Sequence, residues 1–222
     1  MSVDAMKDAA GAHAAAMVQA EMVLGVGTGT TTERFIRALA AAQTRPRVVV
    51  PSSLATGRAL AAAGFLVLEP ARVSRLDLYV DGADEIDPAL QLVKGGGGAL
   101  VREKLLATMA ERFVCIADER KLVPELGAFP LPVEVVPAAV AAVTERLLGL
   151  GDAVTPRVGF VSDNGNLILD VAGIDLRFPG EVEVLLDSIP GVVGNGVFAH
   201  RRPDLVVVGQ ADGSTREVHG PR

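Results

Sequence analysis

The chain has 222 residues, half of them hydrophobic, with 7 Phe, 1 Tyr and no Trp, which is enough for an aliphatic core in one or two domains. A net charge of −6 argues against a general nucleic-acid or anionic-membrane surface but leaves room for a local cluster of donors around a small anion. The only cysteine, Cys115, cannot form an internal disulfide, which points to a reducing, cytoplasmic setting; in its apolar run it reads as a buried thiol rather than a nucleophile.

In chain order, the Ala-rich stretch before Met22 reads as a helix and lacks the basic start and apolar core of a signal peptide. No apolar run reaches the roughly 18 residues of a membrane span. Val23–Val26, Val48–Val50, Phe65–Leu68, Leu76–Val80 and Phe113–Ala117 read as strands. Thr32–Ala42, Ala55–Ala63 and Ala99–Arg112 read as the helices between them. Near-continuous apolar strands alternating with helices predict a doubly wound, mostly parallel, Rossmann-like α/β sheet.

The pattern changes near Pro130. Leu131–Val136 is a predicted strand and Ala138–Leu150 a helix. Val158–Val161 and Leu167–Val171 form a predicted hairpin around Asp163-Asn164-Gly165-Asn166, whose Asn-Gly suits a tight turn. Glu181–Ile189 follows as a helix and Val192–Phe198 as a strand. The order β-α-β-β-α-β is that of a smaller α+β, ferredoxin-like domain. Leu205–Val208 is expected to return to the first sheet. The expected division is therefore 1–128 plus 200–222 for the Rossmann-like domain and 129–199 for the ferredoxin-like one.

Four loops carry candidate chemistry. Gly25-Val26-Gly27-Thr28-Gly29-Thr30-Thr31-Thr32 joins a strand to a helix. Glycines allow close backbone approach, and a helix N-terminus with threonine hydroxyls suits a phosphate. A glycine-rich turn without ligand is the alternative. A dinucleotide fingerprint does not fit, because its third glycine would fall on Thr30 or Thr32 and no acid follows the next strand at Val50-Pro51-Ser52-Ser53. Asp81-Gly82-Ala83-Asp84-Glu85-Ile86-Asp87 lies at the carboxyl end of a strand, the edge where open α/β sheets bind ligands. Asp81 and Asp84 could face one pocket as acid/base groups, hydroxyl acceptors or a magnesium site. Glu85 and Asp87 read as a solvated acidic turn.

Lys94-Gly95-Gly96-Gly97-Gly98 is costly to order unless backbone must pass a ligand closely. Glu103 follows early in a helix, where the dipole favours the carboxylate, the form able to take a proton. A glutamate there is also common without any catalytic task. Asp118-Glu119-Arg120-Lys121 again follows a strand, with Lys121 as a possible anion contact.

These loops, in this order and spacing, closely resemble the A-type ribose-5-phosphate isomerases. Further matches are Ser52-Ser53 with Ala55-Thr56, Phe129-Pro130-Leu131-Pro132-Val133-Glu134-Val135, and Asp163-Asn164-Gly165-Asn166, so the resemblance runs from Lys7 to Gly209. It implies an aldose-ketose isomerase of the non-oxidative pentose phosphate branch, interconverting ribose 5-phosphate and ribulose 5-phosphate through an enediolate. It further implies no cofactor, no metal, no nucleic-acid or membrane partner, and a homodimer or homotetramer. By analogy Glu103 is the base, Asp81 and Asp84 manage hydroxyl protons and ring opening, and Lys94 stabilises the enediolate oxygen. Lys7, Thr28, Gly29, Thr30, Thr31, Gly82, Ala83, Gly95, Gly96, Gly97 and Lys121, with Asp81, Asp84 and Lys94, would line the substrate. Thr30 stands where the family often has Ser, and Val101 where Thr is common. Two other classes fit a related fold: a sugar-phosphate-binding regulatory module, and a coenzyme A transferase with a glutamate nucleophile.

Overall fold

A computed structural model describes residues 2–220. The chain divides into two compact units, at points other than those expected. One holds residues up to Ala83, Arg102–Lys121 and residues from Pro203 on; the other holds Asp84–Val101 and Leu122–Arg202. The insertion of Asp84–Val101 into the smaller unit has a simple cause. Its strands β4 (Glu85–Ile86) and β5 (Leu92–Val93) build a three-stranded sheet with β11 (Val197–Phe198) in the order β11-β5-β4.

The first unit contains α1 (Val3–Ala15), β1 (Val23–Val26), α2 (Thr30–Ala41), β2 (Val48–Pro51), α3 (Leu54–Ala62), β3 (Leu76–Asp81), α4 (Leu100–Met109), β6 (Ala110–Asp118), β12 (Leu205–Gly209) and β13 (Thr215–His219), although α4 begins two residues before the boundary. Its sheet runs β13-β12-β6-β3-β1-β2. All neighbours are parallel except β13, which pairs antiparallel with β12 at the edge. β1 therefore sits between strands reached by crossovers in opposite directions, and the carboxyl ends of β1 and β3 flank the topological switch point. The strands are buried on both faces, with Leu24, Val26, Leu78, Val80, Val114, Ile116, Leu205 and Val207 in one aliphatic cluster with Phe35 and Leu39 of α2.

Two glycines seat α1. A Cβ on Gly11 would meet Phe35 N at 2.7 Å, so α1 lies directly on the α2 backbone. A Cβ on Gly209 would lie 1.9 Å from Met6 O, so the end of β12 also leaves space for α1. Lys7 follows Met6 immediately.

Two expectations change here. Phe65–Leu68 is not a strand: only Val67 bridges Val49, alongside the edge strand β2. The helix expected to Arg112 ends at Met109, and Ala110–Arg112 already belong to β6. Pairing of Ala110 with Leu76 and of Arg112 with Leu78 overrides the local helical preference.

The second unit adds β7 (Leu131–Val135), α5 (Val140–Leu148), β8 (Ala153–Pro156), β9 (Leu167–Ala172), α6 (Pro179–Asp187) and β10 (Val192–Asn195). Its antiparallel order β10-β7-β9-β8 is the ferredoxin-like arrangement. Leu131, Val133 and Val135 pack with Val143, Leu147 and Leu186 of the helices. The hairpin partner of β9 is β8, not Val158–Val161. Val158 is 97% exposed and Gly159 has φ 74°, so that segment is an open loop. Gly165, at φ 82°, does sit in the expected turn, where Ser162 N donates to Asn166 O and Gly165 N to Ser162 O. No described helix is long and apolar enough to cross a membrane.

Candidate active site

In the first unit the glycine-threonine loop and Asp81 are built as one piece. Gly27 N donates to Val80 O at 2.9 Å, which lays the loop along the end of β3. A Cβ on Gly27 would lie 1.8 Å from Asp81 Oδ1, so only glycine leaves the carboxylate its place. Asp81 is fully buried and heavily solvated by the protein. Its Oδ1 accepts from Gly82 N at 2.7 Å and Thr28 N at 3.1 Å, and the Tyr79 hydroxyl donates to Oδ2 at 2.5 Å. The hydroxyl of buried Thr32 leans toward the same carboxylate at 3.5 Å.

Tyr79 and Asp81 are two apart on β3, so both point to the same side of the sheet. Burial pushes the Tyr79 phenol well above its ordinary value, and the negative charges of Asp81 and Glu103 push it further. At neutral pH Tyr79 is thus fixed as a proton donor. The same electrostatic coupling ties Glu103, 2% exposed on the first turn of α4, to this buried cluster. The Tyr79–Asp81 pair is therefore buried at the carboxyl end of β3, and the Glu103 charge acts on its phenol.

Around them lie the anion-seeking groups. Gly29 is the N-cap of α2 with φ 123° and caps it with no side chain. The first N–H groups of α2 and the positive end of its dipole are thus aimed out of the loop. Lys7 Nζ donates to Thr30 Oγ1 at 2.8 Å, which brings a cation to the same turn. Thr28 lies in the same loop. Its hydroxyl is within 2.8 Å of both Ser52 Oγ and Ser53 Oγ and 3.1 Å from Thr56 Oγ1, and Thr56 in turn donates to Gly27 O at 2.9 Å. Thr28 thus braces the loop through the hydroxyls of Ser52, Ser53 and Thr56. Thr31 is half-buried in the first turn of α2, and Gly82 and Ala83 are half-buried just past β3. Lys121 closes the short 3-10 turn Glu119–Lys121 after β6, on the carboxyl edge of the sheet. Buried Asp118 accepts from Arg120 Nε at 2.7 Å.

The second unit carries Asp84, Lys94 and the polyglycine loop. Asp84 Oδ2 accepts from Gly96 N at 2.8 Å, and Asp84 N donates to Val93 O at 2.8 Å. Lys94 is 2% exposed; its N–H donates to Gly196 O at 2.9 Å and its ammonium lies 5.5 Å from the centre of the Phe198 ring. Gly95 at φ 102° and Gly98 at φ 76° adopt conformations that other residues rarely reach. Gly96 and Gly97 are exposed at the crest of the loop. Glu85 and Asp87 are not a solvated turn. Buried Glu85 accepts from Gly127 N and Phe129 N, each at 2.7 Å, and half-buried Asp87 accepts from Gln91 N at 2.7 Å. Burial raises the Asp87 carboxyl above its ordinary value. Among the described residues no three His, Cys, Asp or Glu side chains gather as a metal-ligand set.

The glycine-threonine loop at the switch point, with Lys7 at the α2 N-terminus and no acid after β2, fits a small phosphorylated ligand rather than a dinucleotide. The family model for ribose 5-phosphate isomerase A (phosphoriboisomerase A) matches residues 48–213. A protein named ribose-5-phosphate isomerase A from Acidithiobacillus ferrooxidans is 50% identical over 213 residues, covering 96% of this chain and 97% of its own. A crystal structure of ribose 5 phosphate isomerase A from Neisseria gonorrhoeae is 38% identical with a TM-score of 0.96, covering 100% of this chain and 99% of its own. A D-ribose-5-phosphate isomerase in complex with phospho-erythronic acid is 35% identical with a TM-score of 0.93, covering 99% and 100%. This chain belongs to the ribose 5-phosphate isomerase A family.

Proposed function

We propose that this chain interconverts D-ribose 5-phosphate and D-ribulose 5-phosphate through an enediolate, with Glu103 moving the proton between C2 and C1. The observation that carries the assignment is that one unit holds buried Glu103 on the first turn of α4 and buried Asp81, hydrogen-bonded by Tyr79, together with the side-chain-uncapped N-terminus of α2 and Lys7. Phospho-erythronic acid, bound by a relative, joins a carboxylate and a phosphate on one short sugar-acid chain, which supports a sugar-phosphate substrate here.

The steps follow from the groups at hand. The sugar ring opens as Asp81 or Asp84 takes the C1 hydroxyl proton and the same carboxyl returns it to the ring oxygen, the C1–O bond of the ring breaking as the C1 carbonyl forms. The Glu103 carboxylate takes the proton from C2, and the electron pair forms the C1–C2 double bond while the aldehyde oxygen becomes negative. The Lys94 ammonium offsets that charge. A hydroxyl proton moves from O2 to O1, and Glu103 returns its proton to C1. A positioned base contributes about 10²–10⁴-fold, and a preorganised cation at the oxyanion roughly 3–4 kcal/mol. The phosphate, held by the α2 N–H groups, Thr30, Thr31, Lys7 and Lys121, orients the reacting carbons from a distance. The exposed glycines of the polyglycine loop and the Gly29, Gly82 and Ala83 backbone line the sugar.

The same reading includes a cytoplasmic homodimer or homotetramer in the non-oxidative pentose phosphate branch, working without metal or cofactor. Conversion of ribose 5-phosphate in the presence of EDTA, followed by the appearance of ribulose 5-phosphate, tests it. Binding without turnover would favour a regulatory module, and acyl exchange with coenzyme A a transferase.

A further inference from the structure

The shape of the polyglycine loop is imposed by a segment with no assigned role, Arg157–Asn166, between β8 and β9. Arg157 grips Asp170 of β9 with a two-pronged ion pair, Nε to Oδ2 at 2.7 Å and Nη2 to Oδ1 at 2.6 Å. Its remaining prong, Nη1, donates to both Gly95 O and Gly96 O at 3.1 Å. A peptide unit is planar and trans, so its carbonyl and N–H point in opposite directions. Holding the Gly95 and Gly96 carbonyls toward Arg157 therefore turns the N–H groups of Gly96 and Gly97 the other way. Gly96 N–H meets Asp84 on that side, and Gly97 N–H faces the same way at the exposed crest.

A second device secures the far end of the loop. The Phe160 ring lies where a Gly98 Cβ would be, 2.2 Å from that position, so ring and glycine are in direct contact. Arg157 in turn sits 5.9 Å from the centre of that ring. The segment is anchored below by Glu134 of β7, fully buried, whose Oε1 accepts from Ser162 Oγ, Asn164 Nδ2 and Asn166 Nδ2 at 2.9, 3.0 and 2.8 Å. Four glycines in a row have a large conformational freedom of their own. The loop holds one shape because charge-assisted hydrogen bonds and an aromatic face hold it from one side.

We propose that Arg157 is a positioning residue of the isomerase: it sets the peptide orientation at Gly95–Gly97 so that the backbone N–H at Gly97 is presented to the sugar. The inference rests on the polyglycine loop lining the substrate, as proposed above. Arg157 acts on binding through a backbone donor that meets substrate and transition state alike, so its loss raises KM more than it lowers kcat.

The test compares wild type, Arg157→Lys, Arg157→Ala and Asp170→Asn in ribose 5-phosphate isomerisation, with thermal unfolding measured alongside. Lysine keeps the charge and much of the stem but cannot hold Asp170 and two carbonyls together. Arg157→Lys is expected to raise KM about 10-fold with kcat within about 3-fold. Arg157→Ala is expected to lose more, and added guanidinium to recover part of its kcat/KM. Asp170→Asn leaves the guanidinium on the loop and should shift KM by less than Arg157→Lys does. If Arg157→Ala fails to fold, Arg157→Lys and Asp170→Asn still decide. An active wild type with KM unchanged in Arg157→Lys, whatever its melting temperature, overturns the inference alone. An inactive wild type overturns the functional reading and this inference with it.

Discussion

Tyr79 allows the buried cluster to be interrogated without substrate. It is the only tyrosine, and there is no tryptophan, so near-ultraviolet tyrosinate absorbance reports this residue alone. Replacing Tyr79 by Phe removes the 2.5 Å donor to Asp81 Oδ2 and leaves a buried carboxylate short of one partner. A hydrogen bond to a charged group is worth about 1.5–3 kcal/mol. At this chain length that lowers the melting temperature by about 3–12 °C. The pH dependence has a definite sign. Burial and the charges of Asp81 and Glu103 raise the folded-state pKa of Tyr79. Below the ordinary phenol value of about 10, folded and unfolded chains both keep the proton, and the stabilisation is fully present. Above it the unfolded chain releases the proton while the folded one holds it, so wild type loses about 1.4 kcal/mol per pH unit until the folded pKa is reached. The variant has no such slope. Urea unfolding of both proteins between about pH 8 and 11 should therefore show a stability gap that narrows above pH 10. Other titrating groups are common to both and cancel in the difference. Wild-type tyrosinate absorbance should appear only as the protein unfolds. Parallel stability curves, or a tyrosinate signal from folded protein near pH 10, would refute the placement of Tyr79 against the two carboxylates.

Glu103→Gln keeps the side-chain size and removes the basic oxygen; initial rates should show kcat down by about 10²-fold or more with little change in KM. If kcat survives, the base is Asp81 or Asp84. Gly27→Ala sets a methyl 1.8 Å from Asp81 Oδ1, and thermal melting should register destabilisation of about 3 kcal/mol or more, with activity lost. Lys7→Met should raise KM for ribose 5-phosphate roughly 10-fold and weaken inhibition by inorganic phosphate, with kcat nearly unchanged; an unaltered KM would remove Lys7 from the phosphate site.

The five parallel strands of the first sheet are readable because they are short apolar runs, and the site loops because glycine, threonine and carboxylates concentrate where strands end; β13 (Thr215–His219), polar and at the edge, reads only as a loose or edge element. Local pattern misleads where tertiary pairing outweighs it. Ala110-Glu111-Arg112 looks like the tail of a helix but is pulled into β6 by Leu76 and Leu78. Val158–Val161 looks like a strand, yet Phe160 serves to cover Gly98, and β8 forms earlier at Ala153–Pro156. Asp84–Val101 reads as part of the first domain because its two-residue strands leave no periodic trace. Tyr79 was within reach: a lone tyrosine two residues before Asp81 on a strand must share its face. Arg157 was not. Its partners Gly95 and Asp170 lie 62 and 13 residues away, and nothing in the local sequence marks the meeting.

The seat that Gly209 makes for Met6 also has a consequence for biosynthesis. Helix α1 and Lys7 leave the ribosome first, but the strand that receives them is made about 200 residues later, roughly 10–40 s at ordinary elongation rates. Every residue proposed for catalysis precedes β12 in the chain, yet a nascent chain arrested before Pro203 would hold Lys7 on a helix with one of its two supports missing. The phosphate end of the site is thus completed last, and nascent chains stalled before β12 (Leu205–Gly209) has cleared the exit tunnel should bind phosphate more weakly than released chains.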